Sequence, residues 1–178
     1  MSAKGIDGHK VKTAVADASA FIQGLPFGGV LKLYTTPLVE KELEGLKGIG
    51  LQVAANLIVM SPAEGALKKV RDGAKTTGDD ARVSEADIEV LALALELDLP
   101  IITDDYSIQN LAWHLKVDFI TVRERGIVEE VHWTYRCRGC HKTFDKKLDD
   151  CPICGSEVRS YRGPKGTGTR KAKSERKD

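Results

Sequence analysis

The chain has 178 residues, 42% of them hydrophobic and 30% charged, with a formal net charge of +1. This length suits one core of ordinary size plus a small module and excludes two full domains. No apolar run approaches the roughly 20 residues of a membrane span, and the first 12 residues lack a hydrophobic leader, so a soluble, cytoplasmic protein with no membrane partner is expected.

The near-zero net charge conceals an asymmetry. Residues 162–178 carry +5 and the remainder −4. That terminal stretch has no apolar side chain larger than Ala172, so it is read as a disordered basic tail suited to a polyanion such as RNA, or as a plain solubilising terminus. Residues 1–11 are read as a flexible N terminus.

In chain order, residues 12–16 form a short β-compatible segment ending at Asp17, after which Ala18, Ser19, Ala20, Phe21 and Ile22 can start a helix. Residues 31–35 predict a second strand. Thr36 and Pro37 supply a cap and a first-turn proline for a helix running through Glu42 and Glu44. Residues 45–50 break it, and 51–60 are an apolar run of ambiguous type. Ser61-Pro62-Ala63-Glu64 has the spacing of a capping box opening a helix toward Thr77, with Gly78 ending it.

The polar stretch 78–83 follows. With the preceding residues from 73 it reads as an ordinary connector or a mobile flap. Ser84 caps the strongest predicted helix, 85–97, with Val90, Leu91, Ala94 and Leu95 on one stripe. Residues 100–103 predict a brief strand ending at Asp104-Asp105, 106–115 an amphipathic helix, and 118–122 another strand. This alternation implies βαβ units around a central parallel sheet, a three-layer α/β domain over residues 12–126 with ligands at the strands' carboxyl ends. Residues 127–136 read as a connecting strand.

Two matched pairs, Cys137-Arg138-Gly139-Cys140 and Cys151-Pro152-Ile153-Cys154, stand ten residues apart. Each offers two thiolates to one tetrahedral ion, with Gly139 and Gly155 easing the turns, so residues 137–161 are read as a small zinc ribbon with structural Zn2+. Disulfides or a redox pair are the alternatives, but redox motifs do not come doubled at this spacing.

The acids carry the chemistry. Asp17 and Asp104-Asp105 both sit where a predicted strand ends, so a parallel sheet brings them to one edge. Asp87, third in its helix, heads an inward stripe, although its place in a Ser84-x-x-Asp87 box also explains it locally. Several carboxylates gathered there repel unless a hard divalent ion such as Mn2+ or Mg2+ neutralises them, which points to phosphodiester hydrolysis.

VADASAFI around Asp17, TTPLVEKEL around Glu42, SEADIEVLALALEL around Asp87 and IITDDYSIQNLA around Asp105 resemble the four acidic motifs of PIN-domain nucleases. Joined to the four-cysteine ribbon, the chain is similar to the archaeal Nob endonucleases. That resemblance implies a PIN-like fold for residues 12–126. It also implies a metal-dependent, single-strand RNA endonuclease that processes the 3′ end of small-subunit (16S-type) rRNA. Its partners would be pre-rRNA, the small-subunit precursor and a KH-domain assembly factor. It assigns Asp17, Glu42, Asp87 and Asp105 as the catalytic acids, with Asp104 an adjacent candidate for the fourth and Thr103 orienting Asp105. Asp17, Asp87 and Asp105 are the expected ligands of the catalytic ion.

Arg136, Arg138, Lys142, Lys146 and Lys147 cluster around the first knuckle and are the expected RNA-binding cations, although the same charges also screen the thiolates. Tyr135 and Phe144 read as core first and stacking platforms second. Competing readings are a noncatalytic RNA-binding assembly factor and a toxin-type PIN ribonuclease, the latter weakened by the ribbon.

Overall fold

The computed structural model describes residues 11–23, 32–44, 57–123, 126–127 and 130–162. Residues 1–10 of the expected N-terminal extension 1–11, the helix break at 45–50 and residues 163–178 of the expected tail 162–178 lie outside the described residues, whereas Val11 packs against the core and Arg162 is the last residue of a strand. The chain divides into two compact units, Met1–Glu130 and Val131–Asp178.

The first unit runs β1 (Thr13–Ala16), α1 (Ala18–Ile22), β2 (Lys32–Thr35), α2 (Pro37–Glu44), β3 (Leu57–Val59), α3 (Glu64–Thr77), α4 (Glu85–Leu97), β4 (Ile101–Ile102), α5 (Tyr106–Leu115) and β5 (Phe119–Ile120). Its five strands are all parallel, in the order β3-β2-β1-β4-β5. Val15, Ala16, Ile101, Ile102, Phe119 and Ile120 are buried, as expected of a parallel sheet covered on both faces. Of the ambiguous run 51–60, residues 51–56 lie outside the described residues, and Leu57–Val59 form strand β3, the edge partner of β2. Strand order reverses between β1 and β4, and such a switch point opens a crevice at the carboxyl ends of the strands.

Helix α4 is the centre of the unit. It touches α2, α3, α5, β1 and β4, and Val90, Leu91, Ala92, Leu93 and Ala94 are completely buried. A helix apolar nearly all round belongs inside a core, and truncating Leu91 there to Ala costs about 2–5 kcal/mol. Its start is held by a reciprocal box: Asp87 N–H donates to Ser84 Oγ at 3.2 Å, and Ser84 N–H to Asp87 Oδ2 at 2.7 Å.

Two local expectations are corrected. Ser61 does not cap α3. The cap residue is Ala63, whose N–H is taken instead by Glu96 Oε2 of α4 at 2.6 Å, so a tertiary acceptor replaces the local one. The expected connector 73–83 is shorter than its sequence suggests, because its first five residues are helical. Residues 73–77 complete α3, Gly78 closes it in the left-handed conformation at φ 78°, and Asp79 behind it is fully buried.

The second unit contains β6 (Trp133–Cys137), β7 (Thr143–Phe144) and β8 (Val158–Arg162), an antiparallel sheet in the order β7-β6-β8. Tyr135 pairs with Phe144 across β6 and β7. The buried Tyr135, Cys137, Cys151 and Val158, with Phe144 and Leu148 against them, make its small core. A core of so few apolar side chains is marginal, the kind of core that small modules supplement with a metal or a covalent staple.

Candidate acidic site and cysteine centre

The acidic site is built where β1 and β4 end side by side. Asp17 N–H donates to Ile102 O at 3.1 Å, continuing the ladder one residue beyond β1. Asp17 then leaves the strand as the N-cap of α1, its side chain accepting from Ser19 N–H. Its Oδ2 also accepts from the hydroxyls of Ser19, at 2.8 Å, and Thr103, at 3.0 Å. The residue is only 5% exposed, and that burial raises its pKa while these donors pull it down.

Thr103 is completely buried and serves both strand ends. Its hydroxyl donates to Asp17 and accepts from Asp105 N–H at 3.1 Å, while Gln109 Nε2 donates to its carbonyl at 3.2 Å. Asp105 is the N-cap of α5, with Oδ1 accepting from Ser107 N–H at 2.6 Å. Ser19 completes the same knot: its hydroxyl accepts from Asp104 N–H at 3.0 Å. Sequence reading passed over Ser19. Its signal was position, a hydroxyl two residues after a strand-end aspartate that caps a helix.

Asp104 and Asp105 diverge. Asp104 Oδ1 accepts from Val122 N–H at 2.8 Å and Oδ2 from Arg123 N–H at 3.1 Å, so this carboxylate caps the backbone after β5. Asp105 instead acts electrostatically on Asp87. Burial first, and then the charges of Asp17 and Asp105, push the Asp87 carboxyl up to about 6, against the hydrogen bonds from Ser84. Glu42, exposed on α2, is also raised, by desolvation and by the charge of Asp17. Asp17 is thus the charge common to Asp87 and Glu42, adding to the burial that chiefly raises both.

An oxygen-only donor set of this charge suits a hard divalent cation that keeps several waters and takes one or two carboxylates. Among the described residues only the four cysteines bring three or more ligand atoms close around one point, so the acids form no closed cage, and a hard divalent ion held by one or two of them would keep most of its waters.

Those four Sγ atoms all lie within 4.8 Å of one another, with Cys137 to Cys154 at 3.4 Å and Cys140 to Cys151 at 3.6 Å. Tetrahedral zinc at a Zn–S distance of about 2.3 Å requires sulfurs roughly 3.8 Å apart, so the thiols fit that ion. Gly139 N–H and Cys140 N–H donate to Cys137 Sγ at 3.3 and 3.4 Å, the knuckle pattern that favours a thiolate. Ser156, through side chain and backbone, lowers Cys154 to about 6. A Cβ at Gly139 would run into the Ser156 hydroxyl, so any side chain there must push Ser156 aside. Gly155 takes φ +70°, a conformation glycine adopts freely.

Beside this centre lies a groove of about 260 Å³ lined by Arg136, Cys137, Arg138, His141, Arg159, Ser160 and Tyr161. Arg136 sits over the Tyr161 ring at 5.6 Å, and Glu157 ties Arg138 at 3.5 Å to Arg159 at 2.7 Å. Lys142, Lys146 and Lys147 are exposed but do not line it. Arg159 and Tyr161 were not among the expected RNA contacts, because strand β8 returns them to β6 from over 20 residues away.

Comparison with known proteins agrees with this architecture. The family described as the PIN domain of ribonuclease matches residues 14–97. Endoribonuclease Nob1 of Pyrococcus abyssi is 40% identical over 151 residues, 82% of this chain and 91% of that protein. Endoribonuclease Nob1 of Methanocaldococcus jannaschii is 40% identical over 154 residues, 84% and 77% of the two chains. Ribonuclease VapC1 of Thermoplasma acidophilum is 45% identical over 103 residues, 58% of this chain and 53% of that one. The identity to the two Nob1 proteins extends well beyond the PIN match, and on that span the chain belongs to the Nob1 family of endoribonucleases.

Proposed function

We propose that this endoribonuclease cuts single-stranded RNA at the carboxyl edge of its parallel sheet, using Asp17, Glu42, Asp87 and Asp105. The observation that carries the reading is the Thr103 hydroxyl, which joins Asp17 to the backbone of Asp105 while both carboxylates bear on Asp87. Asp17, Asp87 and Asp105 are the proposed holders of Mn2+ or Mg2+. Such an ion, when bound, supplies polarisation of a phosphoryl oxygen and a lowered pKa for an attacking water. Asp17 binds from a buried, pre-oriented position, Thr103 and Ser19 fix its carboxylate, and Glu42 adds negative charge from α2. Asp104 is left to backbone capping.

The four cysteines hold Zn2+ in this reading. The groove with Arg136, Arg138, Arg159 and Tyr161 combines phosphate-binding cations with an exposed ring on which an unpaired base can stack. Lys142, Lys146 and Lys147 extend the cationic surface.

The proposed substrate is the small-subunit rRNA precursor, whose 3′ end the enzyme matures within a small-subunit assembly particle, beside a KH-domain factor. Family membership supports this choice. No helix among the described residues is long and apolar enough to cross a membrane, and the proposed compartment is the cytoplasm.

The test is cleavage of an end-labelled RNA spanning the mature 3′ end, with Mn2+, with Mg2+ and with neither. One product ending at the mature 3′ terminus, formed only with a divalent ion, is expected. Scattered cutting of any RNA would refute the rRNA assignment, and equal cutting without divalent ion would refute the metal assignment.

A further inference from the structure

The buried acid that this chemistry leaves unused is Asp79, completely inaccessible behind the end of α3. Its Oδ2 accepts from Asn110 Nδ2 at 2.6 Å and from Thr77 Oγ1 at 2.7 Å. Its backbone is equally engaged. Asp79 N–H donates to Ala74 O at 2.9 Å, and its carbonyl accepts from Arg82 N–H at 2.8 Å and Val83 N–H at 3.1 Å. Val83 is followed by Ser84, whose box holds Asp87. Asn110 is also buried, in the second turn of the helix that Asp105 caps.

We infer that Asp79 and Asn110 are positioning residues of the acidic site, their buried hydrogen bond setting the distance between the head of α4, which carries Asp87, and the head of α5, which carries Asp105. This rests on the proposal that both acids hold the divalent ion. A short hydrogen bond between two buried side chains is directional, so it fixes one element against the other more tightly than apolar contact does. Their effect passes through Ser84 on one side and through the α5 backbone on the other.

The experiment titrates Mn2+ into the zinc-loaded full chain, following free ion by electron paramagnetic resonance, with thermal melts in parallel. Four proteins are compared with the wild type: Asn110→Ser, Asp79→Asn, the exchange Asp79→Asn with Asn110→Asp, and Asp17→Asn. Asn110→Ser, which removes the donor, is expected to weaken Mn2+ binding about tenfold, the scale seen when outer-shell partners are lost, and Asp79→Asn, which keeps one acceptor oxygen, to weaken it less. The exchange, which restores a donor and an acceptor in reverse, is expected to recover most of that affinity. RNA cleavage should follow, poor at low Mn2+ and restored at high.

Single variants that melt earlier yet bind Mn2+ like the wild type would overturn the inference, since a purely structural bond gives that pattern. If a single variant fails to fold, the exchange decides: wild-type affinity supports the inference, and weakened affinity in a folded protein overturns it. A wild type whose Mn2+ affinity is untouched by Asp17→Asn would sink the acidic metal site itself and this inference with it.

Discussion

The Thr103 hydroxyl lies 3.0 Å from Asp17 Oδ2 across a sequence separation of 86 residues, and it also accepts from Asp105 N–H at 3.1 Å. One buried side chain therefore couples the ends of β1 and β4. Removing it by Thr103→Val is expected to destabilise the protein by about 1–3 kcal/mol, the cost of leaving buried polar partners unpaired. Cleavage should fall about tenfold or more, because these partners orient a proposed metal ligand. Thr103→Ser keeps the hydroxyl and should recover most of both. Thermal melts and single-turnover cleavage of the three proteins check this; a valine variant as active as serine would contradict it.

Asp104 and Asp105 are adjacent, yet their carboxylates serve different neighbours. Asp105→Asn is expected to abolish metal-dependent cleavage with little change in melting temperature. Asp104→Asn retains an acceptor for the Val122 and Arg123 amides and should keep cleavage within about threefold while costing about 1 kcal/mol of stability, the worth of a typical hydrogen bond. The reverse ranking in a cleavage assay would move the fourth acid to Asp104.

Asp87 gives a pH signature. Folded, it takes up a proton at about 6, against 3.8 for an ordinary aspartate, so between those values the folded state binds more protons than the unfolded one. Its contribution to stability is therefore fully present below 3.8 and lost as pH rises through about 6. Without Mn2+ or Mg2+, the nuclease unit should grow more stable on acidification from pH 7 toward 5, and Asp87→Asn should remove that part of the trend. Carboxyl-carbon NMR should find Asp87 titrating near 6 and moving lower when Mn2+ is added.

Removal of the proposed Zn2+ is expected to affect the two units differently. A thiol-directed chelator is expected to melt the ribbon, seen as loss of β6 and β8 amide protection, while α4 stays protected, since the two cores share no residues. Gly139→Ala should weaken zinc retention, because its new Cβ displaces Ser156 and crowds Cys154. Hydrogen exchange with and without chelator reads both effects.

The fold was legible because its strands are apolar, short and punctuated. Asp17 and Asp105 end two of them, and a parallel sheet carries such residues to one edge whatever their separation. Paired knuckles declared the ribbon for a similar reason, since tetrahedral coordination demands that spacing. What escaped depended on tertiary partners. Ser61 has the look of a cap, but Glu96 from another helix takes the amide that defines the start of α3. Asp79 sits in a polar stretch that reads as solvated, and its burial comes from Asn110, 31 residues on. Arg159 and Tyr161 reach the ribbon groove only through the register of β8 on β6.

The central claim is that Asp17 and its neighbouring acids cut RNA through a divalent ion. The most direct measurement compares wild type with Asp17→Asn on one labelled small-subunit 3′ RNA in Mn2+, recording binding and cleavage together. The account predicts equal binding, with cleavage by the variant reduced about 100-fold or more, the upper end for disturbing a metal site. Cleavage by Asp17→Asn at the wild-type rate would contradict it.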